Sequence, residues 1–276
     1  MRADVGQAQQ SPDAGRRARH RPRMGAISLL VTLSAVHAIA GAEDARTGDF
    51  VLETAVPELV GEEAAARIDP LIPADETVQW VTFVPRAYDP SKPPGLLVYI
   101  SPTQSGRIPR GWKDVLDAHN LIWLAARRSG NREHVGRRVL LATLGVAMAR
   151  KHYEIDDGRI YISGLSGGGK TASMVATDYP QLFRGAIYNC GVEVWDVDMP
   201  RYIEQMRQNR FVFVTGTHDQ ALEPTKRAYQ AYLDAGIEHS KLMVIRNMTH
   251  RNPGRYDFEE ALGFLDSGLP AVEEPH

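Results

Sequence analysis

The sequence predicts an α/β fold, a mostly parallel sheet covered by helices on both faces. Three observations carry this. Short runs of almost continuous apolar, β-branched and aromatic residues recur along the chain, as at Gly95–Ile100, Leu121–Ala125 and Arg210–Thr215. Longer stretches with helical apolar spacing separate many of them, Glu133–His152 being the longest. Between Ile160 and Thr177 a strand-like run passes into a helical one through a cluster of glycines. Strands buried on both faces lose the polar alternation of half-exposed ones, and parallel neighbours need crossovers, so helices are expected above and below the sheet.

Taken in order, Phe50–Ala55 reads as a short edge strand and Glu62–Arg67 as a short helix. Gln79–Val84 is a strand closed by Pro85, and Arg86–Pro94 is too rich in proline to be regular. Gly95–Ile100 reads as a fully buried strand, Trp112–Ala118 as a helix and Leu121–Ala125 as the next strand. Glu133–His152 is a long helix with Val135, Val139, Leu140, Ala142, Thr143, Val146 and Ala147 on its apolar face. The strand Ile160–Ser163 and helix Thr171–Thr177 follow, then a strand at Gly185–Cys190 and a helix at Met199–Gln208. Arg210–Thr215 and Lys241–Ile245 are strands, each followed by a helix, Thr225–Ala235 and Phe258–Leu265. No repeat or long linker interrupts residues 75–268, so a single domain is expected over 41–276 with its core in 79–268. In such sheets ligands bind beyond the carboxyl ends of the strands.

Composition narrows the classes. With 276 residues and 43% hydrophobic content the chain can bury one large core. Residues 1–23 carry Arg2, Arg16, Arg17, Arg19, Arg21 and Arg23; the apolar run Ala26–Val36 and the small residues Ala38-Ile39-Ala40 follow. That is the order of a secretory leader with cleavage near Gly41, so residues 1–40 are expected to be a signal peptide or an over-extended N-terminus, Met24 being a second candidate start. The mature protein is then secreted or periplasmic, and the apolar run falls short of the ~20 residues of a membrane span, so no stable insertion is expected. A formal net charge of −2 argues against nucleic acid as a partner. The single cysteine, Cys190, cannot form an internal disulfide; its strand-like surroundings suggest a buried, inert thiol.

The glycine cluster admits two chemistries. Gly164 through Thr171 spells the phosphate-binding loop G-x-x-x-x-G-K-[ST], and Gly164-Leu165-Ser166-Gly167-Gly168 spells the nucleophile elbow G-x-S-x-G. A phosphate loop needs a second strand ending in an aspartate that holds magnesium. Leu121–Ala125 ends in Arg127 and Arg128, Lys241–Ile245 in Arg246 and Asn247, and Arg210–Thr215 reaches Asp219 only beyond Gly216. A nucleophile elbow needs an acid and then a histidine on later strand ends. Gly216-Thr217-His218-Asp219 and Arg246-Asn247-Met248-Thr249-His250 supply both.

The residue types follow from the chemistry. A serine hydroxyl is a weak nucleophile until an imidazole takes its proton, and a carboxylate fixes the tautomer of that imidazole and stabilises its charged form. The candidates are Ser166, Asp219 and His250, with Asp196 or Asp198 as rival acids and His218 as rival base. His218 is adjacent to Asp219 in sequence and is expected to point away from it. Lys170 is expected to be a surface lysine rather than the base of a serine–lysine dyad. The Gly167 N–H, at a helix start, suits an oxyanion.

Residues 79–268 resemble the α/β-hydrolase superfamily, and more narrowly the esterases related to polyhydroxyalkanoate depolymerases, acetylxylan esterases and feruloyl esterases. The likeness is carried by Val84-Pro-Arg-Ala-Tyr88-Asp-Pro90, by Asp156 through Gly169, by Tyr179-Pro-Gln-Leu-Phe183-Arg-Gly-Ala186, by Gly216-Thr-His-Asp219 and by His250-Arg-Asn-Pro253. The resemblance implies a serine hydrolase of carboxylic esters that uses no cofactor or metal. Serine peptidase or amidase activity on the same fold, and a non-catalytic binding protein, are the alternatives. The chain departs from the family after Ile100: where such esterases carry His-Gly, it has Ser101-Pro102-Thr103-Gln104. Pro102 has no N–H, so Thr103 is the expected second oxyanion donor, assisted by Gln104.

The short spacings from Ser166 to Asp219 and on to His250 leave no room for a large lid, which suits a small or polymeric ester such as acylated polysaccharide, polyester or aryl ester. Trp195 and Arg127 are candidate walls of the cleft. Arg107, Arg110, Arg127, Arg128, Arg132 and Arg251 either favour an acidic substrate or reflect a sequence in which arginine is common.

Overall fold

The computed structural model describes residues 45–195 and 199–268. The expected leader and the rival acids Asp196 and Asp198 lie outside them. The described residues hold eight strands and eight α-helices, in chain order β1 (Gly48–Ala55), α1 (Val56–Val60), α2 (Glu62–Ile68), β2 (Thr77–Val84), β3 (Gly95–Ile100), α3 (Lys113–Ala118), β4 (Leu121–Ala126), α4 (Val135–His152), β5 (Ile160–Leu165), α5 (Gly167–Asp178), β6 (Gly185–Asn189), α6 (Ile203–Gln208), β7 (Arg210–Gly216), α7 (Leu222–Asp234), β8 (Ser240–Ile245) and α8 (Arg255–Asp266). They form one sheet in the order β1-β2-β4-β3-β5-β6-β7-β8. The first two strands run antiparallel to their neighbours and the rest are parallel.

Successive strand residues point to opposite faces, and the core divides accordingly. Leu96, Val98, Ile100, Ile160 and Ile162 join side chains of α4, α5 and α7 on one face. Leu97, Tyr99, Tyr161, Val212 and Val214 join Trp112, α3 and α8 on the other. Burying a large side chain contributes about 1.5–3 kcal/mol, so the two layers, not helix propensity, hold the crossovers in place.

Expected elements are all present, and their ends moved for identifiable reasons. Helix α5 starts at Gly167, not Thr171, because tertiary packing of the glycines outweighs their poor propensity. Helix α7 starts at Leu222 and carries Pro224 in its first turn, where a missing N–H costs nothing. Helix α6 begins only at Ile203. Helix α1 was not expected.

The parallel register brings the carboxyl ends of β3, β5, β6, β7 and β8 to one rim: Ile100 pairs with Gly164, Leu165 with Asn189, Asn189 with Val214, and Gly216 with Ile245. At the far end of the sheet a polar cluster closes the fold around Asp266. Its Oδ1 accepts from the Tyr161 hydroxyl at 2.7 Å and from Arg159 Nε at 3.1 Å, and its Oδ2 lies 3.0 Å from His119 Nδ1. Burial, the largest influence, pushes the Asp266 carboxyl up, but bonds from His119, Arg159 and Tyr161 outweigh it and hold it below the usual carboxylate value.

A folded-state value lowered in this way adds stability above the unfolded value of about 3.9, and that stability is lost as pH falls through the depressed one. Asp266→Asn is therefore expected to cost about 1.5–3 kcal/mol near pH 7, the range for hydrogen bonds to charged groups. The gap in melting temperature from wild type should narrow below pH 4; a gap independent of pH would contradict this assignment.

Candidate active site

The chain passes from β5 to α5 through Ser166 alone, with φ 58° and ψ −121°. Its N–H donates to the Asn189 carbonyl at 2.9 Å, and its carbonyl accepts from the Lys170 N–H at 3.0 Å. A turn this tight requires close backbone approach. A Cβ on Gly168 would fall on the Ile100 carbonyl, and one on Gly191 on the Ser166 carbonyl. The serine hydroxyl makes no hydrogen bond to protein among the described residues and stays partly accessible. The same geometry removes the phosphate-loop reading, since a one-residue turn offers no loop of N–H groups to wrap a phosphate. Lys170, exposed, reaches instead to Glu193 at 3.6 Å.

Asp219 sits in the turn after β7, buried, with Oδ1 2.7 Å from His250 Nδ1. The Ala221 N–H donates to the same oxygen at 2.9 Å, and Thr215 Oγ1 to the other at 3.0 Å. Burial is the largest influence on this carboxyl and pushes it up. Bonds from Cys190, the Ala221 N–H, His250 and Thr215 together outweigh burial and keep it below the ordinary value. An ionised acceptor at Nδ1 places the imidazole proton there and leaves Nε2 as the proton acceptor. The histidine loop is anchored on the other core layer: Asn252 Nδ2 donates to the Tyr99 hydroxyl at 3.0 Å, and Trp112 Nε1 to the Pro253 carbonyl at 3.0 Å. His218 is exposed and its backbone N–H donates to the Met248 carbonyl, so it is His250 that meets Asp219.

Cys190 is buried as expected, but its position carries more than packing. It follows β6 with φ 53°, and its single S–H is shared between the Arg251 carbonyl, 3.3 Å from Sγ, and Asp219. Sγ, an Asp219 oxygen and a His250 nitrogen lie within 4.8 Å of one another. Those are donor types that bind cations, yet here the acid and the imidazole are already hydrogen-bonded to each other. Burial also pushes the thiol far above its usual value, so Cys190 joins this network as a hydrogen-bond donor beside the Asp219–His250 pair.

The remaining candidates are placed less directly. The Thr103 N–H, expected to be the second oxyanion donor, is spent inside its own loop on Ser101 Oγ at 3.0 Å. Gln104 braces the loop, donating to Glu133 Oε1 at 2.8 Å and accepting the Gly130 N–H at 3.1 Å. Arg127 turns to β2, where its Nη1 donates to Gln79 Oε1 at 3.1 Å, and Arg128 pairs with Glu76 at 3.1 Å. Trp195 packs on Tyr232 with ring centroids 4.9 Å apart. Sequence reasoning missed Arg138. Buried on α4, its guanidinium donates to the carbonyls of Ser129 (2.8 Å), Gly167 (3.2 Å) and Ser101 (3.3 Å) and to Asn131 Oδ1 (3.3 Å). Two adjacent arginines, Arg137 and Arg138, at the start of an otherwise mostly apolar helix were the available signal.

Comparison with known proteins agrees with the fold. The prolyl oligopeptidase family pattern matches residues 141–209. No curated protein sequence matches the chain. Among solved structures, a thermostable esterase aligns with TM-score 0.50 and 17% identity over 72% of this chain and 55% of that one. A putative dipeptidyl aminopeptidase IV from Bacteroides ovatus gives 0.57 and 16%, over 82% of this chain and 37% of the other. A mutant feruloyl esterase module from Clostridium thermocellum, complexed with sinapinate, gives 0.59 and 12%, over 83% and 92%. The chain thus spans 55% and 37% of the lengths of the first two. The chain has the α/β-hydrolase fold. Among the described residues no helix is long and apolar enough to cross a membrane.

A thiol buried and held protonated reacts slowly with alkylating agents. Iodoacetamide at pH 8 should leave Cys190 unmodified in the folded protein and modify it fully in guanidinium; rapid modification of the folded protein would contradict the burial described.

Proposed function

We propose that this chain is a serine hydrolase that cleaves carboxylic esters through an acyl-enzyme, with Ser166 as nucleophile, His250 as base and Asp219 as its acid. The observation that carries the reading is the 2.7 Å contact between a buried, ionised Asp219 and His250 Nδ1. It lies at the same sheet rim as a serine held at positive φ with a free hydroxyl. In the attack the Ser166 Oγ–C bond forms, the hydroxyl proton passes to His250 Nε2, and the carbonyl electron pair moves onto oxygen beside the Gly167 N–H. Collapse breaks the bond to the alcohol, which leaves with the proton from His250. Water, activated by the same histidine, then releases the acid.

The substrate reading is an accessible ester, aryl or acyl-sugar or polyester. Its support is the likeness to a feruloyl esterase module over nearly the whole of that module and the short connections between β7, α7 and β8. Export behind the leader at 1–40 belongs to the same reading, as does a single hydrolase domain after it. The family pattern over residues 141–209 favours a second reading, a peptidase on the same scaffold. It matches about a quarter of the chain around the elbow and includes neither Asp219 nor His250.

A fluorophosphonate probe should label the purified protein, and Ser166→Ala should abolish labelling while Lys170→Ala keeps it. Replacing Ser166 or His250 by Ala should lower kcat on p-nitrophenyl acetate by roughly 10⁴–10⁶-fold. Hydrolysis of p-nitrophenyl and feruloyl esters with no cleavage of dipeptidyl p-nitroanilides would select the esterase; the reverse would select the peptidase. Labelling that survives Ser166→Ala would end the serine mechanism.

A further inference from the structure

An oxyanion needs more than the Gly167 N–H, and the two residues after Ser101 do not supply a partner: Pro102 has no N–H and that of Thr103 is bound to Ser101 Oγ at 3.0 Å. We infer that the side-chain amide of Asn131 is the second oxyanion donor, its Nδ2 taking the place of the missing backbone group. The inference rests on the serine-hydrolase reading of the site.

Asn131 lies between β4 and α4, and its backbone N–H donates to the Pro102 carbonyl at 3.0 Å, which draws it over the β3 loop. Its carboxamide lies against Gly167, the residue whose N–H is the first donor. A Cβ at Gly167 would run into Asn131 Oδ1 and come within 2.8 Å of its Cγ and 3.0 Å of its Nδ2. Glycine after the nucleophile therefore leaves the space that the amide fills.

The orientation of the amide is set by chemistry. Arg138 Nη2 lies 3.3 Å from Oδ1, and a guanidinium only donates, so the oxygen must face the arginine and the NH2 must face away. Nδ2 has no protein acceptor among the described residues, and Asn131 is exposed. The same guanidinium donates to the Gly167 carbonyl at 3.2 Å, so one buried cation orients both peptide and amide. Arg138 forms no ion pair among the described residues, and its charge adds a potential that favours negative charge nearby. Arg138 is thus a positioning residue and Asn131 a catalytic one. When Ser166 Oγ bonds to the ester carbon, the electron pair on the carbonyl oxygen is met by Gly167 N–H and Asn131 Nδ2–H; on collapse the pair re-forms the double bond as the alcohol departs.

The test uses the full chain with p-nitrophenyl acetate and two variants. Asn131→Ala deletes the amide, and Asn131→Asp keeps its size but cannot donate. Both should lower kcat by about 10²–10³-fold, as loss of one oxyanion donor does, with KM within a few-fold of wild type. Affinity for a trifluoromethyl ketone, whose adduct carries the oxyanion, should fall by the same factor, while affinity for acetate is unchanged. A merely structural role would instead lower the melting temperature and both affinities together. Wild-type kcat in either folded variant, with Ser166→Ala inactive, would overturn Asn131 alone. Wild-type activity in Ser166→Ala would overturn the hydrolase reading itself, and Asn131 with it.

Discussion

The tight turn at Ser166 is the constraint on which the rim of this sheet depends. A non-glycine residue at φ 58° costs of order 1–3 kcal/mol and persists only where its surroundings over-determine it. Here the surroundings are backbone. Helix α5 lies so close to the ends of β3 and β6 that Gly168 meets the Ile100 carbonyl and Gly191 meets the Ser166 carbonyl. The serine hydroxyl is presented without a protein partner because the turn spends its N–H and C=O on Asn189 and Lys170, and its side chain caps nothing.

Around that turn the polar groups are satisfied from beneath, by buried side chains acting on backbone. Arg138 binds three carbonyls from three different segments, at Ser101, Ser129 and Gly167. Taking a guanidinium out of water is costly unless its donors are filled, and four acceptors engage four of its five N–H groups. Cys190 does the corresponding task for the histidine loop through the Arg251 carbonyl. Both residues limit the freedom of the loops that carry Ser166 and His250.

The acid and the histidine illustrate a balance of electrostatic terms. A buried carboxylate is penalised by desolvation, and for Asp219 that penalty is the largest single influence. Three donors besides the imidazole offset it, and the net shift is downward. The carboxylate therefore stays charged through the neutral range and holds the imidazole in one tautomer, which base catalysis needs.

Much of this was legible in the residues. Nearly continuous apolar runs identified the inner strands β3 to β7, because a strand buried on both faces has little freedom in composition, and the glycine-flanked Ser166 with Asp219 and His250 downstream marked three strand ends. Residues whose task is set by neighbours distant in sequence were not legible. Thr103 looked available as a donor until Ser101 Oγ took its N–H, Arg127 looked cleft-facing until Gln79 claimed it, and Arg138 and Asn131 drew no attention at all. The sequence by itself determined the layered sheet and the order in which Ser166, Asp219 and His250 fall on strand ends, since burial and turn chemistry act locally. Which hydrogen-bond donors remain free at the rim was decided only by tertiary structure, because a donor is free or spent according to what the fold brings within about 3 Å of it.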